Sequence, residues 1–370
     1  MSIVIFIIIL LVLVLVHEFG HFLTAKKFGI KVEEFGFGFP PKLFGIKKGE
    51  TEYTFNLLPI GGFVKIFGET PDEESINGPE AGRSFVNKSK WQQAIVLFAG
   101  IFANFILAWL LFSIGFMYGL PTSAGNEPSG VQLSDVHLVV LSVLSKSPAE
   151  VAGLKTGDKI IFASHTHENE VGHTIKNINP TSIKSFIGEH EIGEEVAIGY
   201  LRGQDSDAKI AKVIVGDING QPAIGIAMDM IGTAKLPFFK AIYEGGRIDW
   251  FMTKNTAFGL YTLIKEGIMG KGSFESVTGP VGMVGIVGDA YRFSLTYLLS
   301  FAALISVNLG IINLLPFPAL DGGRLFFLLI EKIKGSRINP KVANTLNTVG
   351  FSVLILLMVF VTYHDVLKLF

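Results

Sequence analysis

Residues 3–16 carry no polar side chain, and the apolar run they begin continues to about residue 24, broken by His17-Glu18. Further runs follow at 94–120, 297–315 and 349–363, the last of spanning length only if it starts near Leu346. About 20 apolar residues cross a bilayer core as a helix, so the chain reads as having four spans. No other feature restricts the fold as much, because in hydrocarbon only helices and closed barrels satisfy their own backbone. Composition agrees: 49% of residues are apolar before the 42 glycines are counted, more than in a typical soluble domain. The first run lacks a preceding Lys or Arg and a small-residue cleavage site, so it reads as a retained helix, not a signal peptide.

Charge orients the spans. Lys26, Lys27 and Lys31 follow the first, and Arg83, Lys88 and Lys90 precede the second. Lys332, Lys334, Arg337 and Lys341 lie between the third and fourth. By the positive-inside rule these loops are cytoplasmic, and both termini and the large central segment face outside. The net charge of −1 gives no global field for nucleic acid. With no cysteine, disulfides and thiolate chemistry are excluded, and any metal must be held by His, Asp or Glu.

Four zones result. Residues 1–118 form a first membrane half, with spans at about 2–24 and 93–118 around a β region at about 32–68. Within that region 53–66 reads as a hairpin turning at Pro59 to Gly62. It is either re-entrant, lining a wet cavity, or packed on the headgroups. Residues 119–232 lose the apolar runs and read as a small α/β domain. Its strands are expected near 137–143, 195–201, 209–215 and 223–227, with short helices after Ser147 and over 181–190. Residues 233–294 mix aromatic and charged side chains, as an interfacial amphipathic segment does. Residues 295–370 form a second membrane half, with spans at about 296–331 and 346–363.

The chemistry is concentrated in His17-Glu18-Phe19-Gly20-His21. On a helix, positions four apart share a face, so both imidazoles reach one Zn²⁺ with the glutamate beside an open coordination position. Ionisable groups inside a span are costly and therefore functional by default. A catalytic zinc takes three protein ligands. Asp321, within the proline- and glycine-rich 313–323 stretch, is the candidate third ligand, in a helix that its two prolines and two glycines open locally. Asn313 reads either as an oxyanion or substrate donor or as interhelical glue. For Asn104 and Asn308 packing is the favoured role. His165, His167 and His173 read as a solvated loop.

The chain resembles the site-2 protease group of intramembrane metalloproteases, in its bacterial regulator-of-sigma-E protease branch. The resemblance rests on 17–21, Leu-Pro-Ile-Gly-Gly at 58–62, 83–88, Thr-Gly-Pro-Val-Gly at 278–282 and 313–323, and covers nearly the whole chain. The stretch at 147–161 resembles the core of a PDZ domain, which either binds peptide ends or acts as a size filter. The fold implied is a multi-pass α-helical membrane protein with a re-entrant β-hairpin or sheet and one inserted α/β PDZ-like domain. The resemblance further implies zinc on His17, His21 and Asp321, Glu18 as catalytic acid/base, and Asn313 near the substrate. Substrate strand addition would fall at Asn56, Leu57, Leu58, Gly61 and Gly62. The partners implied are pre-cleaved transmembrane proteins within the bacterial inner membrane, with the active site toward the cytoplasm. Two departures stand out: the central loop has room for one PDZ-like domain where several members have two, and the family's Gly-Pro is here Gly100-Ile101, expected to touch no ligand. A rival reading is a non-catalytic zinc-containing adaptor that holds clients through its PDZ-like domain.

Overall fold

The computed structural model describes residues 1–165, 175, 177–203, 207–218, 220–270 and 278–367. The chain opens with α1 (Ser2–Lys27), two long strands β1 (Val32–Lys48) and β2 (Thr51–Ile66), a short α2 (Glu73–Asn77) and α3 (Lys90–Tyr118). The middle holds β3 (Leu120–Ser123), β4 (Ser134–Val143), α4 (Pro148–Val151), β5 (Lys159–His165) and α5 (Pro180–Gly188). It continues through β6 (Glu195–Leu201), β7 (Lys209–Ile214), β8 (Gly216–Ile218), β9 (Gln221–Ala223) and β10 (Ile226–Ala234). Five helices close the chain: α6 (Phe238–Ile268), α7 (Pro280–Phe293), α8 (Leu295–Leu314), α9 (Asp321–Lys334) and α10 (Pro340–Leu367). Two compact units divide these elements. The first holds Met1–Phe112, Gly245–Val287 and Phe301–Phe370, and the second holds Ser113–Glu244 and Gly288–Ser300.

In the first unit, α1 buries Leu13, His17, His21 and Ala25, a stripe at spacing four that a helix places on one face. Ile8, Val12, Phe19 and Leu23 stay exposed, as suits a surface solvated by lipid tails. Helices α1, α3, α8 and α10 are long and apolar enough to cross a membrane, in agreement with the four runs in the sequence. Ala108 and Phe112 of α3 pack on Ala303, Val307 and Ile311 of α8, joined by Ile248 and Met252 of α6.

The third span, expected over about 296–331 with a local opening at its prolines and glycines, is broken at that place into two helices. The helix stops at Leu314 and resumes at Asp321. Pro316 and Pro318 have no N–H to donate, and the chain between folds tightly. A Cβ built on Gly322 would stand 2.3 Å from the Leu314 carbonyl oxygen, and one on Gly323 2.1 Å from that of Phe317. Ala319 takes a left-handed φ of 75° and donates its N–H to Asn347 Oδ1 of α10 at 3.2 Å.

The β region corrects an expectation. Pro59 to Gly62 was expected to be the turn of a hairpin over 53–66, but those two arms do not pair with each other. Both pair with β1: Phe35 opposes Val64 and also Tyr53, and Phe37 opposes Gly62 and also Phe55. Residues 34–37 therefore lie between the two halves of β2. The physical reason is backbone satisfaction, since an isolated hairpin leaves both edges unpaired whereas the inserted segment pairs an edge of each arm.

The second unit is built on a six-stranded sheet in the order β3-β10-β4-β5-β6-β7. Its core holds Leu138, Val140, Ile160, Ile198 and Val213, with Ile183 and Phe186 of α5 packed on them. Both short helices occur where expected. Ser147 caps α4 ahead of Pro148, and Asn179 with Ser182 forms a capping box on α5. The last expected strand is shifted, because Gly225, at a φ of 82°, separates β9 from β10.

Candidate metal centre

His17 and His21 lie one turn apart on the buried face of α1, ring centroids 4.7 Å apart and nearly perpendicular. Their Nε2 atoms are 3.1 Å from each other. Asp321, the first residue of α9, brings Oδ2 to 3.0 Å from His17 Nε2 and 3.2 Å from His21 Nε2. Among the described residues, these three form the group able to hold a metal ion. Buried Asp321 Oδ2 has no hydrogen bond of acceptable geometry despite its proximity to both rings. A tetrahedral ion with ligands at about 2.0–2.1 Å spaces them by about 3.3 Å. The triangle of two nitrogens and one carboxylate oxygen is close to that size, and its donors are those zinc takes when cysteine is absent. The residues fit the metal.

The outer nitrogens of both rings are also engaged. His21 Nδ1 lies 2.8 Å from the Val96 carbonyl oxygen, which can only accept, so Nδ1 carries the proton and Nε2 keeps its lone pair. His17 Nδ1 faces the Asn104 amide, with Nδ2 at 3.2 Å and the buried Oδ1 left without a partner. Amide oxygen and nitrogen are interchangeable by a half-turn. With Oδ1 turned to the ring it accepts Nδ1–H and frees His17 Nε2 for a metal. Asn104 also accepts Ser306 Oγ–H at its backbone oxygen, 2.8 Å away. Besides the packing role assigned from the sequence, Asn104 therefore touches a candidate ligand.

Glycine makes this approach possible. A Cβ built on Gly20 would stand 2.3 Å from the Ala99 oxygen, and one on Gly100 2.2 Å from His21 Nε2. Gly100 was expected to touch no ligand, yet it lies against the His21 ring, because α1 and α3 meet at this pair of glycines. Glu18 Oε2 accepts the Val64 N–H of β2 at 3.1 Å. Arg324, one turn after Asp321, pairs with Glu69 beyond β2.

The remaining expected residues are placed as follows. Asn313 is half-buried beside the end of α8, and no hydrogen bond joins its side chain to the triad. Asn56 is buried and donates to the Gly38 oxygen at 3.0 Å, while Leu57 and Leu58 are exposed. Gly61 lies against Val14 of α1, and Gly62 against Leu15. His165 is in β5 and His190 Nε2 lies 2.8 Å from its Nδ1, a pairing not anticipated from the sequence; His167 and His173 lie outside the described residues. Asn104 was visible in the sequence as a polar residue in a span. Val64 and Val96 act through backbone atoms and left no signal there.

Spanning helices with a His-His-Asp cluster and an adjacent glutamate define the class of membrane metallopeptidases. Residues 5–357 match Peptidase family M50, and the chain belongs to that family. It is 34% identical to a candidate zinc metalloprotease of Clostridium perfringens over 96% of this chain and 95% of the relative. It is 30% identical to the zinc metalloprotease RasP of Shouchella clausii over 99% and 98%. With the regulator of sigma E protease of Haemophilus influenzae identity is 28% over 98% of each. That last alignment spans 452 positions, more than the 370 residues here, so the relative carries residues with no counterpart in this chain. A solved PDZ domain of the SdrC-like protein of Listeria monocytogenes aligns with 26% of this chain and 93% of its own, at 25% identity and a TM-score of 0.21.

Proposed function

We propose that this chain is an intramembrane zinc metalloendopeptidase that hydrolyses peptide bonds within or near the transmembrane segments of other membrane proteins. The observation that carries the reading is the convergence of His17 Nε2, His21 Nε2 and Asp321 Oδ2 at 3.0–3.2 Å beside Glu18. In this reading His17, His21 and Asp321 hold the metal. A zinc ion there supplies Lewis acidity, polarising a peptide carbonyl and acidifying a water. Glu18 takes the water's proton and returns it to the leaving amine. The Val64 N–H fixes one carboxylate oxygen of Glu18, so the other is the one that moves the proton. Val96 and Asn104 hold the imidazoles in the tautomer that binds metal through Nε2. Asn313 orients the substrate backbone.

The β1–β2 sheet is membrane re-entrant in this proposal. Gly61 and Gly62 lie against Val14 and Leu15, and Leu15 is ~18 Å along α1 from Lys27 at 1.5 Å per residue. Phe39, Leu43, Phe44, Leu57 and Leu58 around its tip are exposed apolar side chains, as lipid contact requires. A substrate helix hides its carbonyls in its own hydrogen bonds and must unwind before attack. The outer edge of β2 near Gly61 and Gly62 offers replacement bonds by strand addition. Orientation follows the lysine and arginine loops: metal centre toward the cytoplasm, PDZ-like domain and both termini outside, in a bacterial inner membrane.

Purified protein of known zinc content, assayed on a tagged single-span substrate trimmed outside the membrane, tests the reading. Glu18→Gln is expected to keep its zinc and lose cleavage. Substrate spans containing Gly or Pro are expected to be cut faster than a poly-Leu span. Zinc binding without cleavage by wild-type protein, across several substrates, would return the adaptor reading.

A further inference from the structure

The second unit contains a cleft of about 650 Å³ separate from its hydrophobic core. Leu138 and Val140 point into that core. By strand alternation Asp135, His137, Val139 and Leu141 of β4 point the other way, and all four line the cleft. Leu201 and Ile231 extend its apolar floor. One end is ionic. Asp135 Oδ1 accepts from His137 Nε2 at 2.7 Å, and Oδ2 lies 3.5 Å from Lys159 Nζ. The His137 hydrogen bond holds the Asp135 carboxyl below the usual carboxylate range, so the group is charged at neutral pH. Its backbone is in the left-handed region, with φ 53°. The rim carries Tyr118, the last residue of α3, and Tyr297, in the first turn of α8.

We propose that this cleft binds the headgroup of a zwitterionic phospholipid, with its ammonium on Asp135, its phosphate on Lys159 and His137, and the first chain carbons over Leu141 and Leu201. Three observations carry the assignment. The ends of two spanning helices line the cleft with tyrosine, the residue that sits at membrane–water boundaries. Its ionic end offers one carboxylate, one ammonium and one imidazole, a complement to a dipolar ligand; a purely anionic headgroup leaves Asp135 unmatched. The volume lies within the range of small-ligand sites. An extended peptide fits less well. β4 is paired with β10 along its length and with β5 at Leu138 and Val139, so the floor at Val139 is a sheet face and offers a peptide no free strand edge there. The proposal does not depend on the metal centre.

Native mass spectrometry of the full chain in detergent tests it, using short-chain phosphatidylethanolamine, phosphatidylglycerol with the same chains, and inorganic phosphate. Saturable one-to-one binding of phosphatidylethanolamine is expected, ~10-fold tighter than phosphatidylglycerol. Asp135→Asn and Lys159→Gln should each weaken it ~10-fold, and Leu141→Trp, at an exposed position, should abolish it by filling the floor. Melting temperature, zinc content and cleavage by wild type serve as separate readouts, so failure here is distinguishable from failure of the peptidase reading. Equal binding of both lipids, indifference to Asp135→Asn, competition by inorganic phosphate as strong as by lipid, or displacement of lipid by the substrate's outer segment would each overturn the proposal.

Discussion

Gly100→Ala is a one-carbon change at a position with no room for it. A Cβ there would stand 2.2 Å from His21 Nε2, 2.5 Å from Cε1 and 2.7 Å from Cδ2. Favourable contacts begin near ~3.5 Å, so more than ~1 Å of movement is needed. The ring is not free to supply it, because Nδ1 is bound to the Val96 oxygen at 2.8 Å, one turn earlier on α3. Retreat of α3 instead breaks that bond and pulls Val96 and Leu97 out of a core they share with Ala25 and Ile30. Metal ligands tolerate about 0.2 Å of displacement. Zinc affinity should therefore fall by at least ~100-fold, the upper end of losses from disturbing a ligand's support. The assay is competition for zinc against a chromophoric chelator, alongside helix content and cleavage of a trimmed substrate. Gly259→Ala on α6, where a Cβ meets nothing within 4 Å, is the control and should behave as wild type. A Gly100→Ala protein that binds zinc as tightly as wild type and cuts substrate would refute the reasoning.

Asn104→Ala removes the partner of His17 Nδ1 and should weaken zinc binding ~10–100-fold, while Asn104→Asp, which keeps an acceptor, should retain most of it; equal chelator titrations for both variants would count against the tautomer argument. Gly323→Ala drives a Cβ to 2.1 Å from the Phe317 oxygen, so a loss of ~2–4 kcal/mol is expected in thermal melts, together with loss of zinc. Burial pushes the Asp249 carboxyl up to about 6, so the folded protein prefers it protonated, and stability present below the unfolded value is lost as pH rises through about 6. Asp249→Asn should therefore stabilise at pH 7.5 but not at pH 4, by ~1 kcal/mol once a gross ~3 kcal/mol is discounted for partial solvent exposure. Identical melting gains at both pH values would show that the carboxylate is not the cause.

Local periodicity made much of this molecule legible in advance. A run of apolar residues specifies a spanning helix without reference to the rest of the chain, because lipid imposes the constraint everywhere along it. Two histidines four apart specify one helix face for the same local reason. Asp321 was also within reach, since few carboxylates lie at the depth of the HExxH pair. The pairing of β1 with both arms of β2 was not, because strand partners are chosen by whichever edges remain open. The proline and glycines of 59–62 look the same in sequence whether they make a tight turn or whether another segment is inserted between the arms.

Residue type and spacing along one chain were enough to specify the four spans, the ligand candidates and the glutamate beside them. The atoms that support them emerge only on folding: the Val96 oxygen on His21, Asn104 on His17, the Val64 N–H on Glu18, and two glycines that let α1 and α3 meet at the candidate metal centre. The physical reason is that backbone groups occur at almost every position and a missing side chain carries no pattern, so their roles arise only where distant segments are brought within about 3 Å of each other.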